Sequence, residues 1–352
     1  MNAFASRIIE WQQGHGRHTL PWQTGRDPYR IWLSEIMLQQ TQVATVIPYF
    51  NRFVARFPTL PLLAAATEDE VLALWSGLGY YSRARNLHAA ARRLATEYAG
   101  GFPASPDTLV QLPGIGRSTA AAIAALAFGQ RHAILDGNVK RVLARHAGVS
   151  GWPGDKKVEA ALWHLAESRL PARSIEAYTQ GMMDLGASVC TRSRPVCARC
   201  PVNADCVAHA GSRTAELPAP RPKKALPDRH IQMLLMVDRG ALLLEKRPSP
   251  GVWGGLWSLP ELEVDADPVA HCLGRFGVAS ELQRRLGSFV HCFTHFRLHI
   301  QPTLIRPASR PELPGHTWLA LDRAHDGALP APVRRLVASL LESGTQHARA
   351  RS

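Results

Sequence analysis

The chain has 352 residues, 46% of them hydrophobic, with 41 Lys and Arg against 28 Asp and Glu for a formal charge of +13. That length suits about two domains, each able to bury a core, and the charge surplus favours polyanionic partners. The longest charge-free runs, such as Ser118 to Gln130, fall short of the roughly 18 apolar residues that span a bilayer, and Met1 to Glu10 carries no basic-then-apolar signal, so neither a membrane nor a secreted protein is expected.

From residue 1 to about 211 the chain is rich in Ala, Leu, Trp and Arg. Apolar residues recur there at three- and four-residue spacing, as in Leu60 to Trp75 and Ser82 to Tyr98, which predicts helices. The stretch Ile31-Trp32-Leu33-Ser34-Glu35-Ile36-Met37-Leu38 is apolar nearly all round, with Ile31 and Leu38 on the face of Glu35. An ionised carboxylate buried there is costly, so its pKa is expected to rise and to deliver it protonated, as a general acid requires. A hydrogen-bonded structural Glu is the plainer alternative.

Next comes Leu112-Pro113-Gly114-Ile115-Gly116-Arg117-Ser118-Thr119-Ala120, followed by the small-residue helix Ala121 to Phe128. Two glycines around one apolar residue make a tight turn whose amides can face a phosphate, aided by the positive end of the following helix. The stretch lacks the lysine of a nucleotide P-loop and the third glycine of a dinucleotide site. Leu135-Asp136-Gly137-Asn138-Val139-Lys140-Arg141 follows, where Asp136 or Asn138 is suited to cap a basic helix. With Glu35, Asp136 would supply two carboxyls in contrasting settings, one acid and one stabiliser.

Cys190, Cys197, Cys200 and Cys206 lie within seventeen residues, while Cys272 and Cys292 stand apart. A tight cluster without a secretory leader reads as a metal site in a reducing compartment. Four thiolates suit one zinc ion or one [4Fe-4S] centre, and spacing alone does not separate the two.

Between Ser212 and Arg229, Pro218, Pro220, Pro222 and Pro227 interleave with Arg221, Lys223 and Lys224, a composition that predicts a basic linker. Beyond it, short apolar runs at Ile231–Val237, Ala241–Leu244 and Phe289–Ile300, turn signals such as Asp238-Arg239-Gly240, and a helix near Val333–Leu341 predict an α+β half. Both halves are basic: 22 basic and 15 acidic residues in 1–211, 19 and 13 in 212–352.

Five stretches carry a family resemblance: Trp32 to Gln42, Gly77 to Asn86, the glycine hairpin, Ile134 to Arg145, and the four cysteines. Over nearly its whole length the chain resembles MutY-type adenine DNA glycosylases of the helix-hairpin-helix superfamily. The resemblance implies a multidomain protein: an all-α glycosylase core over 1–211, with the hairpin at 110–130 and a cluster loop at 190–206. A linker at 212–228 and an α+β Nudix-like domain at 229–345 would complete it. It implies one [4Fe-4S] cluster on the four cysteines, and base excision of adenine opposite 8-oxoguanine or guanine, flipped out of duplex DNA by a monomer in a bacterial cytoplasm, on nucleoid DNA. Glu35 would protonate the adenine, Asp136 would stabilise the cationic sugar, and Asn138 would position groups beside it. Trp22, Leu38 and Gln180 would line the adenine pocket. Gln40, Thr41, Leu78 and Tyr80 would fill or buttress the gap beside 8-oxoguanine, and Gly114, Gly116, Ser118 and Lys140 would meet DNA. Phe293-Thr294-His295 would read 8-oxoguanine, with Thr in place of the family's Ser.

Endonuclease III-like relatives carry a lysine nucleophile where this chain has Ser118, so a monofunctional enzyme is expected rather than a glycosylase/lyase. The Nudix-like half lacks the glutamate-rich metal helix, so pyrophosphohydrolase activity is not expected. A non-catalytic damage-sensing module is the reading of another class, and Glu35 argues against it, because a pure binder needs no acid in an apolar helix.

Overall fold

The computed structural model describes residues 3–222 and 225–349. Lys223 and Lys224, two of the basic residues in the expected linker, lie outside the described residues. By contacts the chain forms two compact units, Met1–Ala65 with Asn86–Lys223, and Ala66–Arg85 with Lys224–Ser352.

In chain order the helices are α1 (Ala3–His15), α2 (Pro28–Leu38), α3 (Val43–Arg56), α4 (Leu60–Ala65), α5 (Glu68–Trp75), α6 (Ser82–Glu97), α7 (Pro106–Leu109), α8 (Arg117–Phe128), α9 (Gly137–Ala147), α10 (Lys156–Ser168), α11 (Ile175–Ser188), α12 (Val207–Ala210), α13 (Pro268–Phe276) and α14 (Ala331–Arg349). The single helix expected over Leu60 to Trp75 is two. Thr67 accepts from the Glu70 backbone N–H while the Glu70 side chain accepts from the Thr67 N–H, a capping box that starts α5 afresh.

The first unit is helical. Asp27 caps α2 by accepting from Tyr29 N, Pro28 opens it, and Ile31, Trp32, Leu33, Ile36 and Met37 are buried. Such a helix, apolar all round, belongs inside a domain. It packs on α8, whose run Ala120 to Ala125 is buried throughout, small side chains permitting close approach. Gly114, in the turn between α7 and α8, has φ +78°, and a Cβ there would sit 2.9 Å from Asn86 Cβ. α11 packs on α1, α8 and α9 around a core that includes Ile8, Leu143, Leu162, Met182 and Leu185. Part of the expected linker is held to this unit: Arg145 Nε donates to Leu217 O, Ala219 N donates to Gly151 O, and Leu217 is buried.

The second unit is built on a mixed sheet. Its strands are β1 (Asp228–Asp238), β2 (Ala241–Lys246), β3 (Trp257–Ser258), β4 (Glu261–Glu263), β5 (Ser280–Arg285), β6 (Phe289–Cys292), β7 (Arg297–Pro307) and β8 (His316–Ala320). β1 and β7 pair in parallel from Asp228↔Arg297 to Met236↔Ile305. The expected turn at Arg239-Gly240, with φ +45° and +72°, joins β1 to β2 as an antiparallel hairpin. β8 and β3 extend the sheet beyond β2, while β4 pairs β1, and β5 and β6 pair β7. The apolar run Phe289–Ile300 is not one strand: it is β6 and the start of β7, an antiparallel pair joined by a turn over residues 293–296. α13 has the sequence PVAHCLGRF, without an acidic side chain, and buries Cys272 and Phe276 against Leu234, Met236, Leu243 and Ile305.

Candidate active site and cysteine pocket

A cavity of about 1140 Å³ opens in the first unit, walled by α2, α8, α9, α11 and the segments leading into them. Glu35 lies on α2 with Ile31 and Leu38, one turn either side on the same face, and all three line the cavity. Burial pushes the Glu35 carboxyl up to about 8, and the charge of Asp136 adds to the rise. At neutral pH it therefore holds its proton.

Asp136 is both a helix cap and a cavity-lining residue. Its Oδ1 accepts from Val139 N at 2.8 Å as the N-cap of α9, and the same side chain lines the cavity. Burial raises its pKa, opposed by the Val139 N–H and by Arg141. Asn138, the second residue of α9, accepts at Oδ1 from Arg141 Nη2 at 2.8 Å. That guanidinium also donates to Gly186 O at 2.6 Å and Cys190 O at 2.7 Å, tying α9 to the end of α11. Gly186 permits the approach, for a Cβ there would stand 2.5 Å from Asn138 Cβ.

The other walls are mixed. Trp22 is buried edge-on to Phe50, at 5.3 Å between centroids. Gln180 Nε2 donates to Asp184 Oδ1 at 2.8 Å, and Asp184 also receives the Arg17 guanidinium at 2.6 Å. Ser118 lines the cavity and accepts from Leu135 N at 2.9 Å, fixing the chain that delivers Asp136. Thr41 is a lining residue as well.

Thus Glu35, Asp136, Asn138, Trp22, Leu38, Gln180, Thr41 and Ser118 share one cavity. Gln40 is exposed at φ +57° and is not part of its lining. Lys140 lies outside it too, its amine 2.6 Å from Glu159 Oε1. Gly114 and Gly116 sit in the turn before α8, with Gly116 the N-cap. Arg17, Arg141 and Asp184 went unnoticed in the sequence. Arg141 stands in a quoted motif, but Arg17 and Asp184 are 167 residues apart with no local pattern to join them.

Cys190, Cys197, Cys200 and Cys206 line one small pocket with Arg145, His146 and Val202. Arg145, 3% exposed, donates to the carbonyls of Thr191 and Arg192 and reaches Cys190 Sγ at 3.4 Å. Burial pushes the Cys200 thiol up to about 11, the other three cysteines adding to the rise. Four sulfurs so placed are stable together as thiolates only around positive charge, and that suits a metal centre. Among the described residues no group of three or more His, Cys, Asp or Glu is arranged to hold a single metal ion, so the fit to a metal centre rests on four thiols sharing one pocket and not on a preformed single-ion geometry.

In the second unit, Leu78 is 6% exposed and Tyr80 45%, the latter at φ +49° between Gly77, Gly79 and α6. Ser76 Oγ and the Tyr81 hydroxyl both donate to Leu329 O, at 2.8 and 3.3 Å. Phe293, Thr294 and His295 form the turn between β6 and β7. Phe293 stacks on Phe296 at 4.4 Å and packs against Trp253 and His291, while Thr294 and His295 are exposed.

Residues 33–168 match the HhH-GPD superfamily of base excision DNA repair proteins, and residues 232–339 match the NUDIX domain. The adenine DNA glycosylase of Buchnera aphidicola subsp. Acyrthosiphon pisum (strain APS) is 38% identical over 95% of this chain and 96% of its own length. The adenine DNA glycosylase of Homo sapiens is 35% identical over 96% of this chain and 73% of its own. Among solved structures, a thermostable thymine-DNA glycosylase is 29% identical with a TM-score of 0.53, covering 59% of this chain and 95% of that one.

Proposed function

The chain belongs to the adenine DNA glycosylase family, and we propose that it hydrolyses the N-glycosidic bond of adenine mispaired with 8-oxoguanine or guanine in duplex DNA. One observation carries this reading: a carboxyl held protonated at neutral pH and a second carboxylate, Asp136, line the same cavity.

In this reading a flipped adenine enters the cavity between Trp22, Leu38 and Gln180. Glu35 gives its proton to a ring nitrogen, turning the base into a leaving group. As the C–N bond breaks, positive charge develops on the sugar, and the Asp136 carboxylate stabilises it. Burial raises the Asp136 pKa, while the hydrogen bond from Val139 N and the facing Arg141 favour its ionised form. Asn138, gripped by Arg141, orders the sugar side of the site. Water then adds to the sugar carbon and its proton returns to the Glu35 carboxylate, which completes hydrolysis and restores the acid.

No lysine is among the lining residues described, and Ser118 stands at the hairpin position, so a covalent amine adduct has no agent there. The product is an abasic strand that stays intact until alkali is added. The amides at the turn around Gly114 and Gly116 would take a backbone phosphate. Lys140, held by Glu159, would add charge near the DNA rather than chemistry. Tyr80 would wedge beside the opposite base, with Leu78, Gln40 and Thr41 lining or buttressing the gap, and Phe293-Thr294-His295 would read 8-oxoguanine.

The four cysteines would hold one [4Fe-4S] cluster, whose positive core would balance their thiolates and fix the shape of the 190–206 loop. The protein would act as a monomer on nucleoid DNA in a bacterial cytoplasm. No described helix is long and apolar enough to cross a membrane.

The test is single-turnover release of adenine from duplexes pairing it with 8-oxoguanine, guanine or thymine, with and without alkali. Release opposite the two guanines, with strand breaks only after alkali, is the expected result. Breaks before alkali would place the chain with the lyases instead.

A further inference from the structure

One buried carboxylate of the first unit has no role in the chemistry above. Asp184, on α11, is 1% exposed. Its Oδ2 accepts from Arg17 N at 2.8 Å, and its Oδ1 accepts from Arg17 Nε at 2.7 Å and Gln180 Nε2 at 2.8 Å. Arg17 and Gln180 both line the cavity, while Asp184 stands behind them. A carboxylate paired with a guanidinium only accepts hydrogen bonds. It therefore takes one N–H of the Gln180 amide and holds the NH2 end toward α11, so that Oε1 is the acceptor the amide offers on its other side. One helical turn separates the two residues, so they share a face of α11 and the contact is held by the helix itself.

We propose that Asp184 is a positioning residue that fixes which end of the Gln180 amide meets the base, so that the pocket accepts a 6-amino purine and rejects a 6-oxo purine. The inference rests on the glycosylase reading and deepens it. A 6-amino group offers two donors to Oε1, whereas a 6-oxo group would set one acceptor against another. A site built to satisfy a polar group discriminates strongly against an analogue that leaves it unpaired. Arg17 completes the arrangement by neutralising the carboxylate in a buried setting where it would otherwise be costly.

The experiment compares single-turnover release of adenine, purine and hypoxanthine from otherwise identical duplexes, for the wild type, Asp184→Asn and Asp184→Glu. An Asn side chain offers a donor as well as an acceptor, so Gln180 is met in either orientation. The adenine-to-hypoxanthine and adenine-to-purine ratios are expected to narrow by about tenfold, on the worth of one hydrogen bond, and Asp184→Glu, which keeps the acceptor, is expected to restore them. A fall of all three rates in proportion, with the ratios kept, would overturn the inference, since that is the signature of a merely structural residue. If Asp184→Asn does not fold, proton exchange of the Gln180 side-chain NH2 in the wild type decides, its resonances assigned by their absence in Gln180→Ala. Slow exchange supports the inference and exchange as fast as an exposed Gln overturns it. A wild type that folds but releases no base refutes the glycosylase reading, and the exchange measurement still decides on Asp184.

Discussion

Glu35→Gln separates the chemistry of the site from its stability. The carboxyl titrates near 8 in the folded chain against 4.5 when unperturbed. The folded state thus binds one more proton than the unfolded state across that interval, and stability falls as pH rises through it. Each pH unit costs about 1.4 kcal/mol, so carrying Glu35 costs about 3 kcal/mol at pH 7 and about 5 kcal/mol above pH 8. Glutamine has the same shape and no proton to lose. Denaturant unfolding of the variant is expected to match the wild type near pH 4 and to exceed it by about 3 kcal/mol at pH 7. Over the same range its single-turnover rate is expected to fall by about 10² to 10⁴, the usual worth of a general acid, and the wild-type rate is expected to drop about tenfold per unit above pH 8. A stability difference that does not change with pH, or a wild-type rate flat to pH 9, would refute the assigned protonation state.

Three further perturbations probe the surroundings. Asp136→Asn keeps an N-cap, since Asn caps as well as Asp, so unfolding is expected to shift by no more than about 1 kcal/mol while the single-turnover rate collapses; comparable losses of both would argue against a role on the sugar. Gly186→Ala drives a methyl into Asn138, 2.5 Å from its Cβ. It is expected to destabilise the chain by about 1–3 kcal/mol and to slow adenine release with duplex binding retained, which titration against a mispaired duplex would check. Arg145→Met removes the donors that hold the Thr191 and Arg192 carbonyls, and is expected to yield protein with less bound iron and weaker visible absorption; full iron content would show that the loop orders itself.

Much of the first unit is legible in the sequence because its cues are local. Periodicity marks the helices, the apolar surroundings of Glu35 foretell its raised pKa, and four cysteines in one short loop announce a shared pocket. The break before α5 needed only the Thr67–Glu70 box to be noticed. Other features depend on distant partners. Nothing near Asp184 indicates that Arg17 will meet it. The division of the chain is similar: composition changes near residue 212, yet Ala66–Arg85 groups with the C-terminal half through bonds such as Ser76 Oγ to Leu329 O. The turn between β6 and β7 was hidden because Phe293 and Phe296 read as strand residues, although they stack on each other across the turn.

α9 carries Asp136 at its head and Arg145 near its tail, with Arg141 between them gripping Asn138, Gly186 and Cys190. Its eleven residues form a rod of about 16 Å. Such a spacer tolerates substitutions along its outer side but no change in count. One residue inserted between Val139 and Arg145 would swing the tail by about 100° against the head, and the cysteine loop and the cavity would fall out of phase. Lineages should therefore vary the outer letters of this helix before they vary its length.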